Sequence, residues 1–264
     1  MIWDCCMLLN ELDLIEIRLH ELYPVVDRFV FVEAHERFDG CKKDLVLQDN
    51  ITTRFIQFKD KILYISLDTL EGVGLEARES FQFNQIMQGL VEASDEDIII
   101  LSDADEIVKA DVVQNLKFGS TPYRPVKQIM YMFYINYLWT LNWKGSVITT
   151  LKFLKDYCKT PRQARLNRHH GSFIGNGGWH FSQFGTLEDT ILRRKNSFHY
   201  EGEQIDPLSI ERERSRGQRE YRYKGYRQMR SCTLVDINKE THPSYLVENL
   251  NKYQHLIGAE FQLA

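Results

Sequence analysis

The most constraining feature of this sequence is a short apolar run, Asp97–Ser102 (DIIILS), that ends directly in three acidic residues. A run of β-branched residues without polar alternation is typical of a strand buried on both faces, as in the middle of a parallel sheet. Met1–Leu9, Arg28–Glu33 and Ile62–Leu67 also have the composition of strands. We therefore predict a mainly parallel sheet with Asp97–Ser102 near its centre.

Helical patterns separate these strands. Apolar residues recur at helical spacing over residues 12–22, and a second stripe predicts a helix from about Glu79 to Ala93. Strands that alternate with helices indicate βαβ units, so the expected fold class is α/β with a doubly wound sheet. No linker divides the chain, and residues 1–264 are expected to form a single domain.

The second half of the chain is less regular. Gln128–Tyr137 predicts a further core strand, Gly171–Gly185 a structured loop, and Pro243–Ile257 a closing amphipathic helix. Glu211–Arg230 contains eight Lys or Arg residues against three Glu. Such a stretch is either a solvated face or a surface that attracts an anionic partner, a membrane surface included.

Composition excludes several classes of protein. The net charge of −4 disfavours a general nucleic-acid binder, and no apolar run is long enough to span a membrane. Five cysteines without a repeated CxxC pair argue against a disulfide framework or a structural zinc site. No signal peptide is visible, so we expect a cytoplasmic protein with at most peripheral membrane contact.

The acidic segment Asp103-Ala104-Asp105-Glu106 follows the predicted central strand. Ligands of open α/β sheets bind beyond the carboxyl ends of strands, where these acids lie. Asp103 and Asp105 project to the same side in extended geometry, and their repulsion would be relieved by Mg²⁺ or Mn²⁺. The alternative is that the acids cap a following helix, Ile107–Leu116.

Five ordered motifs carry a resemblance: FVFVEAHERFDG, ARESFQFNQIMQGL, DIIILSDADEI, GNGGWHFSQFG and SYLVENLNKYQHL. In this order they resemble glycosyltransferase family 17, which contains enzymes that add bisecting GlcNAc to N-glycans. The resemblance implies a GT-A type nucleotide-sugar-binding fold, a divalent cation bound by Asp103 and Asp105, and inversion at the anomeric carbon. Residues 1–119 would then form the donor and metal half, and residues 120–264 the acceptor half.

The same resemblance implies further site residues. It suggests Glu33, Arg78, Asn84, Asp103 and Trp179 as donor-binding residues. His180 would be a third metal ligand or would donate to the leaving diphosphate. The general base is left open among the following carboxylates, with Glu201 favoured: Glu106, Glu188, Asp189 and Glu201.

The leading hypothesis is a Mn²⁺- or Mg²⁺-dependent inverting glycosyltransferase. It would move a sugar, GlcNAc being the first to test, from a UDP-sugar to a hydroxyl of a glycan or lipid-linked glycan. Two alternatives stay open: a Mg²⁺-dependent nucleotidyltransferase and a non-catalytic carbohydrate-binding module. On the acceptor side, the first candidates to bind an anionic group are the arginines of the basic stretch, Arg212, Arg214, Arg216 and Arg219.

Overall fold

The computed structural model describes residues 1–223 and 226–259. Its strands are β1 (Ile2–Met7), β2 (Arg28–Ala34), β3 (Ile62–Leu67), β4 (Ile98–Asp103), β5 (Glu106–Val108), β6 (Tyr123–Met132), β7 (Tyr137–Thr150), β8 (Gly178–Ser182), β9 (Gln218–Tyr223), β10 (Tyr226–Ser231) and β11 (Thr233–Leu234). Its α-helices are α1 (Leu12–Leu22), α2 (Val46–Ile51), α3 (Leu75–Asn84), α4 (Ile86–Gly89), α5 (Ala110–Gln114), α6 (Leu151–Phe153), α7 (Pro161–Leu166), α8 (Leu187–Lys195), α9 (Pro207–Arg216) and α10 (Ser244–Glu248).

The central sheet has nine strands in the order β3-β2-β1-β4-β7-β6-β8-β5, with β11 paired to β7. The four strands β3, β2, β1 and β4 are parallel neighbours. Within the described residues, only β7 and β5 run against the other strands of this sheet. The prediction of an α/β fold with a mainly parallel sheet is therefore confirmed, and β9 and β10 form a separate hairpin.

Strand β4 lies in the middle of the sheet and is covered on both faces. Ile100 packs in a cluster with Ile15 of α1, whereas Ile99 and Leu101 pack in a second cluster with Phe83 of α3. This burial explains why the strand lacks polar alternation. The carboxyl end of β4 reaches the edge of the sheet at Asp103.

Two predicted helices differ from the structure. The stripe over 79–93 is split into α3 and α4, and α4 ends at Gly89. An added Cβ at Gly89 would lie 2.4 Å from Val30 Cγ1, so this residue allows close packing on β2. The prediction of a helix over Ile107–Leu116 was wrong for its first residues. Glu106–Val108 pairs with β8, and within this segment only Ala110–Gln114 is helical.

The second half contains more strand than the sequence indicated. The segment predicted as the loop Gly171–Gly185 includes β8, which pairs with both β5 and β6. The strand predicted to end at Tyr137 ends at Met132, where Phe133 adopts a positive φ of 68° before β7 begins. The predicted closing helix is reduced to α10 and a short 3-10 turn, Gln254–Leu256.

A buried ion pair ties α1 to the end of β4. The Arg18 guanidinium donates to both carboxylate oxygens of Asp4 at 2.6 and 2.7 Å, and neither side chain is exposed. Arg18 also donates to the backbone carbonyls of Glu106 at 2.8 Å and of Asp103 at 3.2 Å. The position of the acidic segment is thus coupled to the packing of the first helix.

Other features agree with the sequence. All five cysteines are free, and Cys41 is the exposed one among them. In the part of the chain that the structure describes, no helix has the length and apolar character needed to cross a membrane.

Candidate active site

A cavity of about 1010 Å³ opens at the carboxyl edge of the sheet. Met7 and Leu8 at the end of β1, Glu36 just after β2, and Asp103 and Asp105 at the end of β4 all line it. Binding sites of α/β sheets occur at this edge, because the chain leaves each parallel strand there in a loop. The acidic segment therefore faces a large concave surface at this edge.

Asp103 and Asp105 enter the cavity with different partners. Asp103 is held by Arg165, whose Nη2 lies 2.6 Å from Asp103 Oδ2. Asp105 Oδ2 lies 3.3 Å from Nε2 of His180, which β8 presents beside β5. Asp103 Oδ1 is buried and has no hydrogen-bond partner within residues 1–223 and 226–259. One oxygen of Asp103 is therefore fixed, and the other is left without a partner in this part of the chain.

Glu106 is withdrawn from the cavity. Its side chain is buried, and its oxygens accept from Arg165 Nη2 at 2.8 Å and from Trp143 Nε1 at 2.9 Å. With both oxygens engaged, Glu106 is badly placed to accept a proton from a substrate. These contacts favour a positioning role, in which Glu106 holds Arg165 and Arg165 holds Asp103, and the catalytic assignment of Glu106 stays a prediction.

The pKa values at this edge follow from burial and the nearby charges. Burial alone would raise the pKa of Asp103, but the positive charges of Arg165, Arg168 and Arg162 outweigh it and lower the pKa. Burial lowers the pKa of His180, and the neighbouring carboxylates, Asp105 first, outweigh it and raise the pKa. Asp103 is therefore ionised at neutral pH, ready to bind a cation.

The residues present fit a divalent cation in one particular way. In the described chain, no three His, Cys, Asp or Glu side chains are grouped closely enough to hold a metal by themselves. Asp103 and Asp105 supply two carboxylates, and His180 has a buried Nδ1 without a partner. Mg²⁺ is commonly bound by one or two carboxylates while substrate phosphates and water complete its shell. The donor set is suited to a cation that arrives with a diphosphate.

Two residues predicted to bind the donor instead stabilise helix starts. Glu33 is buried, and its carboxylate accepts from the backbone N–H groups of Val46 at 2.8 Å and Leu47 at 3.0 Å, at the start of α2. Asn84 Oδ1 accepts from the backbone N–H of Arg162 at 3.0 Å, at the start of α7. Neither side chain lines the cavity.

Of the other three predicted donor contacts, Asp103 lines the cavity, whereas Arg78 and Trp179 lie outside its lining. Arg78 lies beside the cavity residue Glu36, with 3.4 Å between Nη1 and Oε2. Trp179 is buried in the core, and its Nε1 donates to the Thr241 carbonyl at 2.8 Å. Successive residues of a strand face opposite sides, so the turn of His180 toward the cavity directs Trp179 away from it.

The predicted general bases are likewise not brought to the cavity. Glu201 is exposed and accepts from the backbone N–H of Leu75 at 3.3 Å. Asp189 forms a capping box with Thr186 at the start of α8, and Glu188 lies in the first turn of the same helix. None of these carboxylates lines the cavity.

The sequence reading missed the residues of α7 and the turn after it. Arg162, Arg165 and Arg168 recur every three residues in PRQARLNR, a spacing that places them on one side of a helical segment. Arg162 and Arg168 line the cavity, and Arg165 lies buried beneath the acids. The signal was the periodicity of the charges in a segment with few other charges.

Glu79 of α3 was also missed. It lines the cavity, and one carboxylate oxygen lies 3.0 Å from Nη1 of Arg162. Burial raises the pKa of Glu79 to about 7, against the opposing effect of Arg162. A carboxyl group with this pKa changes charge in the physiological range, which suits acid–base chemistry.

The basic stretch is divided among several surroundings. Arg212 and Arg216 are exposed on α9, whereas Arg214 is buried and donates to the Gly185 carbonyl and the Thr190 hydroxyl, both at 2.7 Å. Arg219 and Arg230, on the β9–β10 hairpin, line the cavity. Arg214 therefore differs from the exposed arginines, because its guanidinium is hydrogen-bonded inside the fold. The side chains of 221–227 lie outside the description.

Comparison with known proteins identifies relatives. The model of glycosyltransferase family 17 matches residues 1–262. Beta-1,4-mannosyl-glycoprotein 4-beta-N-acetylglucosaminyltransferases from Homo sapiens and Rattus norvegicus are each 30% identical over 116 residues. These matches cover 41% of this chain and 22% of each relative, so about a fifth of the relatives' length is matched.

Solved structures with a similar arrangement are more distant. A mannosyltransferase from Pyrobaculum calidifontis, in complex with GDP-Man and Mn²⁺, is 12% identical with a TM-score of 0.44. The match covers 74% of this chain and 61% of the mannosyltransferase. The galactosyltransferase LgtC, in complex with donor and acceptor sugar analogues, is 10% identical with a TM-score of 0.34 and covers 69% and 73%.

Proposed function

The chain belongs to glycosyltransferase family 17, and from this membership we propose a metal-dependent inverting transfer of a sugar from a UDP-sugar to a glycan hydroxyl. UDP-GlcNAc is the first donor to test, because the two relatives matched over part of the chain are named as N-acetylglucosaminyltransferases. Membership also favours glycosyl transfer over the two alternatives, nucleotidyl transfer and sugar binding without catalysis.

The observation that carries this proposal is the acid pair at the end of β4. Asp103 has one fixed and one unpartnered oxygen, and Asp105 lies beside it at the edge of the same cavity. A divalent cation held there, Mn²⁺ or Mg²⁺, would neutralise the charge that develops on the departing diphosphate. His180 would complete or orient that arrangement, a role supported by its contact with Asp105.

Arg168 is the residue we assign to the donor phosphates. It lines the cavity, and its guanidinium donates to the backbone carbonyls of Lys144 at 2.9 Å and Arg165 at 3.1 Å. Among the residues described here, no carboxylate pairs with it. A guanidinium held in this way near Asp103 would bind and orient a diphosphate.

Inversion requires a group that accepts the proton of the attacking hydroxyl. Glu79 is our candidate, because it lines the cavity and its pKa of about 7 allows it to take a proton at neutral pH. Glu201 stays a prediction from the family pattern alone, since its carboxylate lies outside the cavity lining.

Thermal unfolding with and without Mn²⁺ tests the proposal. UDP should raise the melting temperature of the wild type only when Mn²⁺ is present, because the cation would hold the diphosphate. At a hundredfold excess over its Kd, a ligand adds about 2.7 kcal/mol to the free energy of unfolding. Asp105→Asn should abolish the shift. Asp156→Asn is the matched control, because Asp156 is exposed and pairs with Lys152 outside the cavity.

Other outcomes would contradict the proposal. Equal stabilisation by UDP in EDTA would remove the metal from the scheme. Stabilisation by CTP rather than UDP would favour a nucleotidyltransferase, and stabilisation by free sugars without metal would favour a binding module. Release of UDP from UDP-GlcNAc without acceptor, compared with other UDP-sugars, would then identify the donor.

A further inference from the structure

The β9–β10 hairpin places two arginines in the wall of the cavity. Arg219 of β9 is directly opposite Arg230 of β10 in the antiparallel register, and both line the cavity. Residues opposed in this way have Cβ atoms about 4.5–5.5 Å apart and share one face, and like charges so placed destabilise the pair. An anion bound between them would remove that repulsion.

Neither arginine has a carboxylate partner within the described residues. Arg219 donates to the Tyr200 hydroxyl and lies 3.9 Å from Met132 Sδ, and its Nε is buried without a partner. Arg230 donates to the Trp139 carbonyl, and its guanidinium carbon lies 4.6 Å from the centroid of the Trp139 ring. Among residues 1–223 and 226–259, no carboxylate is paired with the positive charge of either guanidinium.

Two other cavity arginines are paired with carboxylates, whereas Arg168, assigned above to the donor phosphates, has no carboxylate partner among the described residues. Arg193 lies 3.4 Å from a carboxylate oxygen of Glu11, and Arg194 lies 2.5 Å from one of Glu213. The positive charge of Arg219 also affects the neighbouring His199. Burial lowers the pKa of His199, and Arg219 is the first of several cations that lower it further.

The pair lies beside Trp139, nearer the start of β7 than the residue that contacts the acidic segment. That residue is Trp143, which donates to Glu106 and whose ring centroid is 4.8 Å from that of His180. Trp139, beside Arg230, is four residues away on the same strand, a distance of about 13 Å. A diphosphate bound at the acid pair therefore leaves this part of the cavity to another group.

Sheet order separates the two regions in the same way. β1 and β2 lie on one side of β4, and β7 and β6 lie on the other. The carboxyl ends of β1, β2 and β4 form the edge where a nucleotide is expected. The region over β7 and beneath the hairpin is left for the acceptor.

Resting on the proposed function, we infer that the acceptor is an acidic glycan whose phosphate or carboxylate binds between Arg219 and Arg230. Guanidinium groups bind both anions through paired hydrogen bonds of fixed geometry. Trp139 adds an aromatic surface beside the anion on which part of a sugar ring can pack.

Calorimetric titration with small sugars tests this inference. GlcNAc 6-phosphate and GlcNAc, and likewise glucuronic acid and glucose, are compared with UDP and Mn²⁺ present at saturation. The wild type should bind each acidic sugar at least about tenfold more tightly than its neutral counterpart. Arg219→Gln and Arg230→Gln should each abolish this preference, while the affinity for UDP with Mn²⁺ stays unchanged.

Arg216→Gln is the matched control, because it removes the same charge from an exposed position on α9. It should retain the preference, and 1 M salt should weaken the preference in every variant that has it, since the Debye length falls to about 3 Å. Relief of repulsion should keep the melting temperature of Arg230→Gln at or above that of the wild type.

Three results would overturn the inference: no preference in the wild type, a preference that persists in both hairpin variants, or one that vanishes when UDP and Mn²⁺ are added. The last would mean that the sugar phosphate occupies the donor site. Failure of UDP to bind with Mn²⁺ would instead contradict the proposed function. The sugar titrations, repeated without UDP, would still show whether the arginine pair binds anions.

Discussion

At the residue scale, the three acids that follow β4 have three different roles. Asp103 is anchored by Arg165, Asp105 contacts His180, and Glu106 is buried between Arg165 and Trp143. Their chemistry is almost the same, so the roles depend on which neighbours the fold supplies. The guanidinium of Arg165 forms ion pairs with both Asp103 and Glu106. The second oxygen of Asp103 has no partner among the described residues.

This arrangement predicts that two similar substitutions differ in stability. Asp103→Asn weakens a contact of a fully buried guanidinium and should lower the free energy of unfolding by about 1–3 kcal/mol. Asp105→Asn loses a contact with His180 only and should cost less than about 1 kcal/mol. Urea denaturation measures both, and UDP binding with Mn²⁺ should be lost in both. Equal stability of the two variants would show that Arg165 does not depend on Asp103.

The raised pKa of Glu79 predicts a pH dependence of activity. A base works when ionised, so hydrolysis of UDP-GlcNAc should rise with pH and level off above about 7, the pKa of Glu79. Glu79→Gln should lower kcat at least about 100-fold and flatten this rise.

Stability should follow the opposite trend, because the folded protein binds the Glu79 proton more tightly than the unfolded chain. The contribution of Glu79 to the free energy of unfolding is largest below the usual carboxyl pKa of about 4.3. It is lost as the pH rises towards about 7, the pKa of Glu79 in the folded protein. Glu203→Gln, on the exposed rim of the cavity, is the control and should keep the activity profile. A profile unchanged in Glu79→Gln would exclude it as the base.

At the element scale, α7 and the turn that follows it connect the donor region to the acids. This short segment carries Arg162, Arg165 and Arg168, and it begins with Thr160 as its N-cap and Pro161 in its first turn. Asn84, at the end of α3, accepts a hydrogen bond from the second helical residue. The two helices are therefore joined at the point where the arginines enter the site.

Asn84→Ala should consequently affect both stability and donor binding. Loss of the bond to the Arg162 N–H should cost about 1 kcal/mol in urea denaturation. Displacement of α7 should raise the Kd for UDP with Mn²⁺ by several fold. Asn84→Asp keeps an acceptor oxygen and should retain most of the stability and most of the affinity for UDP with Mn²⁺. A variant with weaker UDP binding at unchanged stability would point instead to direct contact with the donor.

At the scale of the whole molecule, the site depends on contacts between distant parts of the chain. Arg18 on the first helix holds Asp4 of the first strand and the backbone carbonyls of Asp103 and Glu106. Asp103 and Arg165 come from opposite sides of the division at residue 119, so their ion pair joins the two predicted halves. The division into a donor and an acceptor half stays a prediction.

Arg18→Met should be among the most destabilising substitutions in this chain. It leaves the fully buried Asp4 without its partner, which costs about 3–5 kcal/mol of unfolding free energy. The double variant Asp4→Leu/Arg18→Met removes the uncompensated charge and should recover much of the loss in urea denaturation. An Arg18→Met protein as stable as the wild type would contradict this account.

The sequence alone determined the strands from β1 to β4, their alternation with helices, and the location of Asp103 and Asp105 at a strand end. These features depend on local periodicity and on a strand buried on both faces, which leave a direct record in neighbouring residues. The motif order also indicated the family correctly.

Only the tertiary structure decided which of the candidate residues face the cavity. Glu33 and Asn84 sit next to strand and helix ends as expected, but distant helices take up their hydrogen bonds. Trp179 and His180 differ in orientation because β8 pairs with β5, which the glycine-rich sequence did not reveal. Arg165 reaches Asp103 across 62 residues of chain. Such contacts depend on packing between elements that are far apart in sequence, and local composition contains no signal for them.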